Sequence, residues 1–480
     1  MRKKLTTILS GIAMAALLGG VLAGASLPAP AEAATPDARN FDPGRIIDDG
    51  VFYNPGTMGP GDIQAFIDSK ESCAPTAGNP GCLESYRSDT PYKPANANCS
   101  EFAAGSNEIA SAIIFRAAQA CGVNPQVILA TLEKEQGLVT SNNPNAGKYR
   151  IAMGYGCPDT AACDTAYYGF GNQVIAAARQ FKRYVAPGNT FRYKAGQVNV
   201  IQWHPNAACG ASEVYIANNA TAALYNYTPY RPNQAALNNL GGLGDGCSSY
   251  GNRNFWKFFT DWFGSTTVPK AASAFVRSLY NDVLGREAGA VEVHGWGMLV
   301  TNGRAPVEVA AGFVDSDEYR LIRIDAAYQT ILGRGAETGG AWGWLVNMKN
   351  GLLTTDDVDK VFLATEEYLT NTGGTNESFV AALYQRLIGR AAAPEEVSGW
   401  AAIAAAQGRH VVVNSIWSSV ETARSRVSLM YASYLGRAPE EAGVAGWAQI
   451  AIERGDAGVR WAIIGSAEYW GRASARFPNG

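Results

Sequence analysis

The sequence predicts a mainly α protein in two parts: an α-rich, cysteine-bearing domain with a small β-hairpin, followed by an all-α domain of helical repeats. Three observations carry this. Apolar residues recur at helical spacing between residues that start and stop helices, as in "NPQVILATLEKEQG" at 124–137. The stretch "TFRYKAGQVNVIQWHP" alternates on either side of a Gly-Gln turn and reads as a two-stranded hairpin. A motif recurring four times fills the second half.

In chain order, residues 1–33 read as a signal peptide. Arg2, Lys3 and Lys4 precede an apolar Ala/Gly/Leu-rich stretch, and Ala31-Glu32-Ala33 is the expected cleavage site. No Cys follows the apolar stretch to carry a lipid, so the mature chain is expected to be secreted or cell-wall associated, with no integral membrane segment. The charges nearly balance, 39 Lys and Arg against 42 Asp and Glu, so no broad positive field is available to hold nucleic acid. All eight cysteines fall between Cys73 and Cys247. An even number in an exported chain points to disulfides, with neighbour pairing the simplest arrangement. Only three histidines and no Cys-x-x-Cys pair are present, so neither a metal nor another cofactor is expected.

Residues 34–264 form the expected cysteine-rich domain and 265–272 a short polar linker, after which cysteine disappears. Beyond it, "LYNDVLGR", "AYQTILGR", "LYQRLIGR" and "MYASYLGR" end at Arg286, Arg334, Arg390 and Arg437, with spacings of 48, 56 and 47 residues. Each copy has a Tyr six residues before its Arg and a Trp ten residues after it; three close on "SDEY", "TEEY" and "SAEY". A period near 50 marks a tandem of one supersecondary unit. About three short helices per unit are expected, with repeats 1 and 2 over 273–374 and repeats 3 and 4 over 375–480. The fixed Tyr, Arg and Trp are read as each unit's core and an internal hydrogen bond. The third copy reads "SVETAR" where the terminal Tyr should be. The motif "LYxxxLGR", Gly-Trp, "SxEY" resembles the DUF4214 family, helical repeats of large secreted and surface proteins of bacteria. The resemblance implies attachment or recognition of surface partners.

Within the cysteine-rich half a helix is expected over Asn107 to Cys121. The next has Asn124 as N-cap, Pro125 at the first helical position and Gly137 as its stop. At about 100° per residue, Glu135 lies within about 20° of Ile128, inside the apolar stripe, whereas Glu133 lies about 160° from Glu135 at its margin. Desolvation and the negative end of the helix dipole would both disfavour the Glu135 anion. A carboxyl group kept protonated in this way suits a general acid that protonates a leaving glycosidic oxygen. The other reading is a helix-end Glu that reaches water or pairs with an Arg.

"VNPQVILATLEKEQGLV" is similar to the acid-bearing helix of lysozyme-like lytic transglycosylases, and the matching position is Glu135, with Gln136 where those enzymes usually have Ser. The resemblance implies a lysozyme-like fold cleaving the MurNAc-GlcNAc linkage of peptidoglycan. It implies that Tyr225 of "AALYNYTPY" assists the acid and that Met153 and Tyr155 of "YRIAMGYGCPD" line the sugar cleft; Tyr168, placed to stack on a sugar face, and Tyr230 are further expected substrate-binding residues. The block "AMGYGCPDTAACDTAYYGFGNQVIAAARQFKRY" also resembles a set of secreted actinobacterial proteins, some labelled haemagglutinin. A hydrolase needs a second carboxylate about 5 to 9 Å from the acid, and Asp159 and Asp164 are nearest in sequence. A lytic transglycosylase needs none, because an intramolecular sugar hydroxyl replaces water. The rival expectation is a surface or adhesive protein that binds glycan without cutting it.

Overall fold

A computed structural model describes residues 35–480 apart from 71, 159, 160 and 338; the expected leader and Asp159 lie outside the described residues. The chain is mainly helical, and its sheets among the described residues are two antiparallel pairs of strands. No helix among the described residues is long and apolar enough to cross a membrane.

The N-terminal half is built around the helix Pro125–Gln136, buried continuously from Pro125 to Glu133. Its start is fixed twice. Asn124 Oδ1 accepts from Gln126 N at 2.8 Å, and its Nδ2 donates to the buried Val51 carbonyl at 2.8 Å, which ties the cap to the N-terminal segment. Ile128 and Leu132 are fully buried, each contributing about 1.5–3 kcal/mol. The helix packs between Ala110–Cys121 and the aromatic helix Gly251–Phe263, whose Phe255 and Phe259 lie in the same core. It stops at Gly137, which takes the left-handed conformation (φ 58°) and returns its N–H to the Glu133 carbonyl at 2.8 Å.

Two sequence expectations shift. The helix expected from Asn107 begins at Ala110, because residues Gly105–Ile109 are taken by a strand paired with Arg87–Thr90. The hairpin lies one strand later than expected: Gln197–Gln202 pairs with Ala211–Ile216, so the Gly-Gln turn leads into the first strand and the connecting loop is 203–210. The disulfides Cys73–Cys82, Cys99–Cys121, Cys157–Cys163 and Cys209–Cys247 follow neighbour pairing. They are the chemistry of an oxidising, extracytoplasmic compartment.

The stretch at 265–272 is packed rather than free. Asp48 N–H donates to the Thr266 carbonyl at 3.0 Å, Val268 N–H donates to Asp48 Oδ2 at 2.8 Å, and Val268 is buried with Ala272 and Met298. Gly50 rests so closely on the first repeat that a Cβ there would lie 2.0 Å from the Ala290 carbonyl oxygen.

Each repeat is held by one small circuit. The motif arginine lies over its own tyrosine ring, at 4.6 Å for Arg286 on Tyr280 and 5.0 Å for Arg390 on Tyr384. The tryptophan indole donates to the tyrosine hydroxyl: Trp344 to Tyr328 at 3.3 Å, Trp400 to Tyr384 at 3.0 Å and Trp447 to Tyr431 at 3.0 Å. The arginine then pairs with the glutamate of the closing motif: Arg286 with Glu318, Arg334 with Glu367, Arg390 with Glu421 and Arg437 with Glu468. The third copy lacks its closing Tyr but keeps this pair at 2.6 Å, with Thr422 fully buried in the tyrosine's place. The repeats share two cores. One joins the first and fourth, from Phe275 to Tyr319 and from Ala423 to Tyr469; the other joins the second and third, from Ile324 to Trp417.

Between the two halves, burial pushes the His294 imidazole down to about 4, beside a cavity of about 600 Å³ that Asp48, Asp49 and Arg277 also line. The unfolded imidazole takes up its proton near 6.5. Stability from the neutral ring is therefore fully present above that pH and is lost as pH falls toward 4. Thermal melts from pH 7 to pH 4 should show a falling midpoint in the wild type relative to His294→Gln; parallel profiles would refute the assignment.

Candidate functional site

Glu133 and Glu135 leave the same helix in opposite directions and have different tasks. Glu133, expected at the margin of the apolar stripe, is buried because the chain after Gly137 folds back over it. Its carboxylate accepts from Val139 N at 3.0 Å, Thr140 N at 3.1 Å and Thr140 Oγ1 at 2.7 Å. These bonds close the helix end, and the carboxylate is buried.

Glu135, expected inside the apolar stripe, has a side chain 23% exposed, and its Oε1 lies 2.6 Å from the Nζ of Lys134. The Lys134 ammonium is itself buried, donates to Thr228 Oγ1 at 2.6 Å and lies 5.1 Å from the centre of the Tyr227 ring. The apolar surround expected around the acid is thus replaced by a cation and an aromatic ring. The other carboxylate oxygen faces Gly154. A Cβ at that position would sit 2.6 Å from Glu135 Oε2, and the backbone there is left-handed (φ 68°), so the close approach and the turn both require glycine.

The turn carrying Gly154 is clamped from behind by one glutamine. Gln173 Oε1 accepts from Met153 N at 3.2 Å and Tyr155 N at 3.0 Å, while its Nε2 donates to the carbonyls of Tyr155 and Tyr167 at 2.8 and 2.9 Å. Gln173 is fully buried on the helix Phe170–Tyr184. Sequence reasoning passed over it; its only signal was a polar residue on the apolar face of that helix.

Of the expected site residues, the structure brings Glu135 together with the Met153 to Tyr155 turn. The Met153 side chain is fully buried in the core, so the residue meets the site through its carbonyl, which accepts from the Tyr227 hydroxyl. Tyr155 donates to Gln180 at 3.3 Å, and burial pushes its hydroxyl up to about 12. It lines a cavity of about 260 Å³ with Lys93, Arg179 and Arg183. Tyr168 is half-buried with the Arg150 guanidinium 5.0 Å from its ring centre. Tyr230 is tied through its backbone, donating to the Thr228 carbonyl at 2.9 Å and accepting from Asn252 at 2.8 Å.

Tyr225 is not beside the acid. It is fully buried and donates to the Pro43 carbonyl at 2.9 Å, against Tyr193. The tyrosine at the acid is Tyr227, two residues later and so on the opposite face of the helix Asn219–Tyr227. Burial, and then the charge of Glu135, push its hydroxyl well above the usual tyrosine range, so it stays a protonated donor. Asp164, one of the two aspartates considered for a second carboxylate, accepts from Ala166 N at 3.0 Å and caps the turn Thr165–Tyr167.

Comparison with known families gives two separate matches. No curated protein matches the chain. Residues 45–271, which hold Glu135, Gly154, Gln173 and Tyr227, match the family described as LasA, N-terminal domain. Residues 259–321, the first repeat, match DUF4214, a domain of unknown function, in agreement with the repeat motif. Residues 45–271 are therefore similar to the N-terminal domain of LasA, and residues 259–321 to DUF4214.

Proposed function

We propose that the N-terminal half cleaves the MurNAc-GlcNAc linkage of peptidoglycan as a lytic transglycosylase, with Glu135 as the only proton carrier, and that the repeats hold it at the cell envelope. One observation carries this reading: the partly exposed Glu135 carboxylate is set at the end of a rigid buried helix, with Oε2 against a turn that only glycine can form there. The reaction requires Glu135 in its acid form, which the Lys134 ammonium beside Oε1 opposes; its proton passes to the glycosidic oxygen as the bond to C1 breaks. A hydroxyl of the same sugar then closes onto C1, and its proton returns to the carboxylate. The acid is restored, no water is consumed, and no second carboxylate takes part. Lys134 and the Tyr227 hydroxyl hold the carboxylate and the turn in register.

A second reading, glycan binding without cleavage, is favoured by one feature: Oε1 is already paired with Lys134 and the Tyr227 hydroxyl is already used by Met153. Digestion of purified peptidoglycan with wild type and Glu135→Gln separates the two. Fragments released by the wild type alone support the enzyme; cosedimentation with the wall and no release from either protein supports the binder.

Gly154→Ala tests the contact itself. The added methyl presses on Oε2 and costs about 1–2 kcal/mol for the left-handed backbone. The expected result is a fall in fragment release far larger than the accompanying few-degree drop in melting temperature. Wild-type release from this variant would remove the turn from the site.

A further inference from the structure

A second site lies in the repeats, where the core of repeats one and four meets that of repeats two and three. A cavity of about 510 Å³ opens there, the size of a sugar-scale ligand. Four arginines and two aspartates line it: Arg323, Arg386, Arg426 and Arg460 against Asp359 and Asp456. Arg426 is paired with Asp456 at 2.9 Å and Arg323 with Asp359 at 3.0 Å. The other two are held by neutral oxygens, Arg386 by the carbonyl and hydroxyl of Thr330 and Arg460 by the Tyr319 hydroxyl.

Arg426 and Arg460 are each only 8% exposed, yet Arg426 Nη2 and Arg460 Nε have no hydrogen-bond partner among the described residues. A buried unmet donor is costly, more so when charged, and such groups are ordinarily satisfied. Each guanidinium also lies against an aromatic ring, Arg426 on Trp417 at 4.4 Å and Arg460 on Tyr319 at 5.6 Å, and both residues line the cavity. A planar or tetrahedral oxyanion satisfies several such N–H groups at once, and an anion offsets the one arginine left over when the buried Asp356, which also acts on Arg426 and Arg460, is counted with Asp359 and Asp456. Leu429, 63% exposed at the rim, offers an apolar edge of the kind a sugar ring covers.

We infer that this inter-repeat cavity binds a sugar-sized ligand through an oxyanion, a carboxylate or a phosphate. The site is separate from Glu135, and wall cleavage can fail without affecting it.

The test is calorimetric titration of the full chain with glucuronate, glucose 6-phosphate and, as neutral control, glucose. Saturable binding of one or both anions and none of glucose is expected, and the anion that binds identifies the oxyanion. Arg460→Lys keeps the charge but removes the Nε–H, and should weaken binding at least 10-fold. Arg386→Gln, at an exposed residue of the mouth, should weaken it with an unchanged melting curve and serves if the buried variant does not fold. No anion binding by the folded wild type, equal binding of glucose, or affinity unchanged in Arg386→Gln and in any folded Arg460→Lys would overturn the assignment.

Discussion

Glu135→Gln is expected to reduce fragment release from peptidoglycan by about 10²–10⁴-fold, the usual contribution of a positioned acid and base. The fold should survive with a lowered melting temperature, because the buried Lys134 ammonium loses its counter-charge. The amide has the shape of the acid, the side chain is not part of the core, and Lys134 keeps its bond to Thr228 Oγ1 at 2.6 Å. Wall binding should also survive, because the turn at Gly154 is held by Gln173 rather than by Glu135. Melting temperature and wall cosedimentation check those two points. Release that falls no further than the folded fraction does would instead mark Glu135 as structural.

Asp456→Ala should have the largest effect on stability. The Arg426–Asp456 pair is almost wholly buried, with both side chains 9% exposed, and Asp456 N–H also donates to Asp356 Oδ2 at 2.9 Å across the junction of the repeats. Removing the acid leaves a buried guanidinium without its counter-charge, which costs about 3–5 kcal/mol. For a unit of this size that is a drop of roughly 6–20 °C in the midpoint. Replacing both partners, Arg426→Met with Asp456→Leu, should recover much of the loss, because no unpaired charge is left behind. A single variant that melts like the wild type would contradict the account of the junction.

Some of this was readable from the chain. Asn124, Pro125 and Gly137 mark the ends of the acid helix locally, so its boundaries needed no tertiary information. The repeat motif survives because its Tyr, Trp, Arg and Glu form one circuit, and a copy that loses one member keeps the rest, as Arg390 and Glu421 show. Other features depend on packing that no local pattern encodes. Tyr225 and Tyr227 are equally aromatic and two residues apart on one helix, and only the docking of that helix decides which faces Glu135. The burial of Glu133 depends on Val139 and Thr140 turning back over it. The strand Gly105–Ile109 exists because Arg87–Thr90, earlier in the chain, folds back alongside it, a pairing that the helical pattern after Asn107 does not encode. The pairing of the first repeat with the fourth is likewise invisible in a motif that makes all four look alike.

The proposed chemistry is read most directly from the ends of the products. Purified peptidoglycan is incubated with the full chain, and the released fragments are weighed by mass spectrometry. Closure by the sugar's own hydroxyl, with Glu135 carrying the proton, predicts fragments each one water lighter than the hydrolysis product. Fragments carrying the added water, or a wall that binds the protein and releases nothing, would contradict it.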